Sequence, residues 1–190
     1  LTVLSVPDTI TKVGISAFEG CRSLVKIALS NSMTYISNSC FKNCTSLKEI
    51  DYGSVTSIED KAFYSCSGLE EIDIPSQIVR VGSKAFYDCV GVKKITVSGG
   101  NDYMGSKVFY NMPFCTTLVL NTNYDEASST ARWSDTFYHL GFSTTGIDLV
   151  VGDDVTIPDF SGLKNTFSDS KTKITSFLND TKATEFYTLP

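Results

Sequence analysis

The apolar positions of this chain recur in step with a phenylalanine. Phe18, Phe41, Phe63, Phe86 and Phe109 follow one another at intervals of 23, 22, 23 and 23 residues. Three positions after each stands Cys21, Cys44, Cys66, Cys89 or Met112, and six after stands Leu24, Leu47, Leu69, Val92 or Cys115. Nine and eleven after come Ile27 with Leu29, Ile50 with Tyr52, Ile72 with Ile74, Ile95 with Val97, and Leu118 with Leu120. The residues between these pairs are mostly polar, and that alternation predicts a strand with one buried face. Met33 with Ile36, Val55 with Ile58 and Ile78 with Val81 form a second apolar pair before the chain returns to phenylalanine. The predicted unit is therefore strand, turn and compact second segment. A fixed period of this size marks a solenoid, whose units bury their apolar faces only against their neighbours.

The pattern extends in both directions. Leu1, Leu4, Val6, Pro7, Ile10, Val13 and Gly14 occupy the same slots, so the chain opens inside a repeat and is expected to be part of a longer protein. After Phe109 the phase loosens. Phe137 and Phe167 are the next landmarks, at spacings of 28 and 30, with Leu140 in the cysteine slot and Ile147, Leu149, Ile174 and Phe177 as strand residues. The added stretches NTNYDEASSTA and VGDDVTIPDFSG are rich in Ser, Thr, Asp and Gly, as loops inserted at one edge of a solenoid are. The expected organisation is one solenoid over 1–190, with regular repeats over 1–120 and longer, divergent repeats and a closing cap over 121–190.

The slots LxxIxIPxxIxxIGxxAFxxC, filled from Leu69 to Cys89 as LEEIDIPSQIVRVGSKAFYDC, resemble the leucine-rich repeats of the BspA-like surface proteins. That resemblance covers Leu1 to Leu120. It implies an α/β fold: a right-handed leucine-rich-repeat solenoid with one parallel strand per 22–23-residue repeat on its concave side and short helical or irregular convex segments. It also implies an exported, extracellular or cell-surface protein of bacterial type that binds host or matrix proteins. Tyr52, Gly53 and the one-residue deletion between Phe41 and Phe63 depart from the pattern, and they bear on how regular the curvature is.

Composition narrows the partners. A net charge of -5 and a pI near 4.8 provide no basic stripe for phosphates, so no nucleic-acid partner is expected. No apolar run approaches the ~20 residues of a membrane helix, so this segment is not expected to insert in a membrane. The six cysteines are expected to be buried free thiols, because four of them share one slot of the repeat and Met112 and Leu140 replace them there. A disulfide or a metal site would be the alternatives. Zinc is disfavoured by the spacing, with Cys40 and Cys44 the only close pair and His139 the only histidine.

Two surfaces are candidates for function. Strand positions eight and ten after each Phe point outward and carry Lys26, Glu49, Asp51, Glu71, Asp73 and Lys94. Glu49 beside Glu71 and Asp51 beside Asp73 would place like charges on paired strands, which is unfavourable unless a cation answers them. Such a patch suits a basic protein segment and, less readily, a divalent cation held by carboxylate oxygens, or else it is a solvated face with interleaved lysines. Tyr64, Tyr87, Tyr110 and Tyr138, each next to a Phe landmark, form a possible convex aromatic stripe. No residue set suggests catalysis, a cofactor or a metal, since a strand face lacks the pocket that tunes a carboxylate. The expected function is protein recognition, with extracellular or host proteins as partners. A structural spacer with no ligand of its own is the alternative, and oligomeric state is left open.

Overall fold

A computed structural model of the chain describes residues 1–100, 102–121, 136–137, 140–141, 147–152 and 174–179. Twelve strands lie along these residues, all paired in parallel. One strand of each coil belongs to the main set: β1 (Val3–Ser5), β2 (Lys26–Ala28), β4 (Glu49–Asp51), β6 (Glu71–Ile74), β8 (Lys94–Val97), β10 (Thr117–Leu120), β11 (Ile147–Val151) and β12 (Ile174–Asn179). The second segment of four coils contributes a two-residue strand: β3 (Tyr35–Ile36), β5 (Ser57–Ile58), β7 (Arg80–Val81) and β9 (Tyr103–Met104). The solenoid is thus a parallel-strand one of about five regular turns with little helix. The convex segments expected to be helical or irregular are turns plus this second short strand. They are extended because Ile36, Ile58, Val81 and Met104 fill one column of the core, three of them β-branched residues that favour strand, and stack coil upon coil.

Registers follow the repeat. Ile27 pairs with Ile50, Ile72 with Ile95 and Ile95 with Leu118, so one slot of the pattern becomes one row of the core. Ile27, Ile72, Ile95 and Leu118 are buried, while their neighbours Lys26, Glu71 and Lys94 are exposed. The divergent coils keep this order. Leu118 pairs with Leu149, Leu149 with Phe177, and Met112 makes an isolated parallel bridge with Leu140. Phe167 lies outside the described residues.

The corner around each phenylalanine is neither helix nor strand, yet its backbone is fully used. The Phe amides donate to the next coil: Phe18 to Cys40 O, Phe41 to Ala62 O, Phe63 to Ala85 O, Phe86 to Val108 O and Phe109 to Thr136 O, at 2.8–3.1 Å. The amides two before and two after do the same, as with Lys61 to Ser83 O and Ser65 to Tyr87 O. Amides in between close short turns within their own coil, such as Cys66 to Phe63 O. Pointing alternate amides along the axis requires left-handed backbone, and Ser39, Lys61, Lys84 and Lys107 as well as Asn43, Ser65, Asp88 and Asn111 adopt φ between 54° and 61°. Each such residue costs about 1–2 kcal/mol, which the satisfied backbone groups offset.

Inside that corner the rings of Phe18, Phe41, Phe63, Phe86, Phe109 and Phe137 stack in one column, with centroids 5.1–5.9 Å apart and planes within 15° of parallel. All six cysteines are free thiols, five of them buried. Cys44, Cys66 and Cys89 donate their thiols to the carbonyls of Phe18, Phe41 and Phe63, at 3.1–3.2 Å. The sulfur slot therefore ties each coil to the one before it.

Two outcomes test this packing. Phe63→Ala, which empties the middle of the ring column, is expected to cost about 3–5 kcal/mol in urea unfolding. The second concerns pH. Burial pushes the thiols of Cys40 and Cys115 up to about 12 and that of Cys44 up to about 11, from an ordinary value of 9.0. Ionisation is then easier in the unfolded chain, so the stability these groups contribute is complete below about pH 9 and is lost as pH rises through 11 to 12. The melting temperature should fall more steeply over that window in the native chain than in a Cys40→Ala, Cys44→Ala, Cys115→Ala variant.

Candidate functional site

Strand alternation turns Lys26, Glu49, Asp51, Glu71, Asp73 and Lys94 to solvent on the outer face of the main sheet. Their charges are answered unevenly. Lys26 Nζ meets Glu49 Oε2 at 2.7 Å across the β2–β4 pair, and Lys93 Nζ meets Glu70 Oε2 at 2.8 Å. The first contact raises the Lys26 pKa and the second lowers that of Glu70, chiefly through the hydrogen bond. Asp51 Oδ1 accepts the Gly53 amide at 3.1 Å. Among the described residues Glu71 and Asp73 take part in no ion pair, although Lys94 stands opposite Glu71 in the β6–β8 register.

These two carboxylates border an interruption. The main strands form two sheets, β1-β2-β4 and β6-β8-β10-β11-β12, and no ladder joins β4 to β6. Glu49 and Glu71, like Asp51 and Asp73, are therefore not cross-strand neighbours on paired strands as the repeat alone predicts. The second sheet continues without a break past the same point, through β5 and β7, and so does the phenylalanine column.

The sequence supplies three causes at this seam. Tyr52 puts a large ring where other coils carry Leu29, Ile74, Val97 or Leu120, and it is only 8% exposed. Pro75 stands where Ser98 and Asn121 donate their amides to Ile74 O and Val97 O of the coil before, and proline has no amide hydrogen to give. The coil between Phe41 and Phe63 is also one residue short. Gly53 follows the tyrosine with φ +54°, and a Cβ there would lie 2.7 Å from Leu29 O, so its backbone is drawn tightly onto the coil before, while its carbonyl accepts the Gln77 side-chain amide of the coil after at 2.7 Å.

Between the separated strands lies a cavity of about 160 Å³, lined by Lys48, Ile50, Tyr52, Leu69, Glu71, Ile72, Asp73 and Pro75. Ile50 is partly exposed through it, whereas Ile27, Ile72 and Ile95 are buried. Burial, with Asp73 as the next contribution, pushes the Tyr52 hydroxyl well above the ordinary tyrosine value. The space is small beside the roughly 300–1,000 Å³ of enzyme and cofactor pockets. Sequence reasoning singled out Tyr52, Gly53 and the deletion as irregularities but did not place Lys48, Ile50, Leu69 or Pro75 at a site. The signal available was the coincidence of all three irregularities with a proline in the next coil.

On the opposite stripe, Tyr64, Tyr87 and Tyr110 stack with centroids 4.9 and 4.6 Å apart. The Lys84 and Lys107 ammoniums lie 5.8 and 5.6 Å from the rings of Tyr87 and Tyr110. The ring faces are thus turned to one another, and edges and hydroxyls are left to face outward. Tyr138 and His139 lie outside the described residues.

The profile of the BspA type leucine-rich repeat region matches residues 1–131 in 6 copies. A search of curated proteins gives no match. Among solved structures, the chain is similar to the T. pallidum leucine-rich repeat protein TpLRR, at 20% identity over 80% of this chain and 74% of that one, with a TM-score of 0.63. It is similar to the pneumococcal vaccine antigen PcpA at 15% identity and a TM-score of 0.66, over 94% of this chain but 41% of that one. A leucine-rich repeat protein from Bacteroides ovatus ATCC 8483 matches at 23% identity and a TM-score of 0.51, over 80% of this chain and 51% of that one. At these identities the likeness shows the fold. Solenoids of this kind are typically non-enzymatic binding scaffolds.

The tyrosine ladder predicts a graded loss of stability. Each stacked pair is worth about 0.5–1.5 kcal/mol beyond the area it buries. Tyr87→Ala, which breaks two stacks, should therefore lower the urea midpoint more than Tyr64→Ala, which breaks one. A double-mutant cycle on Tyr64 and Tyr87 should return a coupling of that size.

Proposed function

Because the chain belongs to the BspA-type leucine-rich repeat family, we propose that it is a non-catalytic protein-recognition module of an exported cell-surface protein, which takes an extracellular or host protein on the outer face of its main sheet, as an adhesin does. The observation that carries this reading is the uneven charge of that face. Glu49 and Glu70 are matched by Lys26 and Lys93, while Glu71 and Asp73 stand together without an ion pair among the described residues. Two uncompensated carboxylates on one strand repel each other in the free solenoid and gain value only against a cationic surface. The fold shared with a pneumococcal vaccine antigen supports a surface location. Among the described residues no helix is long and apolar enough to cross a membrane.

The test is binding of the purified domain to immobilised extracellular-matrix and cell-surface proteins. A combined Glu49→Gln, Asp51→Asn, Glu71→Gln, Asp73→Asn variant runs beside it, at low and physiological salt. A ligand should be found whose affinity falls about tenfold or more in the variant and weakens with salt, because exposed charge pairs are screened over about 8–10 Å. If no protein is retained by either form, the domain is a spacer that holds other parts of a surface protein at a distance.

A further inference from the structure

The interrupted joint between β4 and β6 holds features that a solvated acidic face does not need. Its cavity of about 160 Å³ matches the size of space that accepts a benzene-sized group, so it fits one side chain and not a length of chain. Its floor is apolar, formed by Ile50, Leu69 and Ile72, and its rim carries Glu71 and Asp73. The Tyr52 side chain is more than nine-tenths buried and lines the same space. No hydrogen bond of its hydroxyl occurs among the described residues, and the charge of Asp73, which lines the same cavity, acts on it. Lys48 is the one cation among the lining residues, and it makes no ion pair with Glu71 or Asp73.

An apolar channel that ends in two carboxylates and a phenol is complementary to an alkyl stem that ends in a positive charge. We propose that the joint between β4 and β6 is a socket for one basic side chain, arginine or lysine, of a partner protein. The alkyl carbons lie along Ile50, Leu69 and Ile72, the cationic head lies between Glu71 and Asp73, and the Tyr52 oxygen accepts one of its hydrogens. The proposal rests on reading the strand face as protein-binding, and it narrows that reading to an anchor at one coil. Arginine is favoured over lysine, because its planar fork can engage both carboxylates at once.

The experiment is an amide NMR titration of the whole chain with acetyl-Gly-Arg-Gly-amide, with the neutral citrulline peptide as control, at low salt. Saturable shifts should appear at Ile50, Tyr52, Glu71, Ile72 and Asp73 with the arginine peptide alone. Glu71→Gln with Asp73→Asn, both at exposed positions, should raise the dissociation constant about tenfold or more while the melting temperature holds. Glu19→Gln, whose partner Lys42 likewise lies outside the cavity, should leave it unchanged. Tyr52→Leu, which restores the aliphatic residue of the other coils, should abolish the shifts. Equal shifts with citrulline, shifts spread over the whole acidic face, no shifts at all, or indifference to Glu71→Gln with Asp73→Asn would each overturn the socket. The two readings fail separately. A protein ligand unaffected by those two substitutions removes the socket and keeps recognition, while a socket filled by the peptide with no protein retained removes adhesion and keeps the socket.

Discussion

The contact on which this structure depends is the one between a coil and the next. No coil has a core of its own: Phe63 is covered by Phe41 on one side and Phe86 on the other, and the amide of each lands on the backbone of the following coil. Ring column, thiol column and corner amides run along the axis, so cohesion is a sum of nearest-neighbour terms. This explains the narrow choice at each slot. At Cys44, Cys66 and Cys89 the slot three positions after the ring holds a small thiol that donates weakly to a carbonyl of the previous coil, and Met112 and Leu140 fill the same slot farther along with apolar side chains.

A stack built of repeated joints can tolerate one imperfect joint, provided the other columns pass through it. That is the case between β4 and β6. The second sheet and the phenylalanine column are continuous there, and only the main-sheet ladder is interrupted. The local cost falls on a few backbone groups, and the gain is a concavity that a regular strand face does not possess. Tyr52 lines the gap, and the absence of a Cβ at Gly53 keeps the chain clear of Leu29 O.

The sequence made the repeat legible because each column of the core requires one residue type at one interval. Phe18 to Phe109, Cys21 to Cys89 and the Ile–Ile pairs of the strands could be counted directly, and the outward placement of Glu49, Asp51, Glu71 and Asp73 follows from alternation alone. The second strand was less legible, since pairs such as Ser57–Ile58 are too short to show a period. The seam was hidden for a different reason. Register is inferred by assuming every coil equals the last, whereas Tyr52, Pro75 and the deletion act jointly across two coils, and an irregularity within one coil does not show which joint it opens. Beyond Leu120 the columns persist at Phe137, Leu140 and Leu149, but the variable spacing removes the count that located the earlier ones.

The separate sheets also set how the molecule carries mechanical load. Its interstrand hydrogen bonds run along the solenoid axis, so a pull applied between the two ends is borne by them in series. At every other joint of the main strands from β1 to β11, a main-sheet ladder shares that load with the corner amides. At the β4–β6 joint the load passes through the two-residue β5–β7 pairing, the corner amides, the Cys66 thiol on Phe41 O and the Gln77 side-chain amide on Gly53 O, with no main-sheet ladder beside them. Among the joints from β1 to β11, tension meets one ladder fewer at the gap beside Tyr52 than at any other.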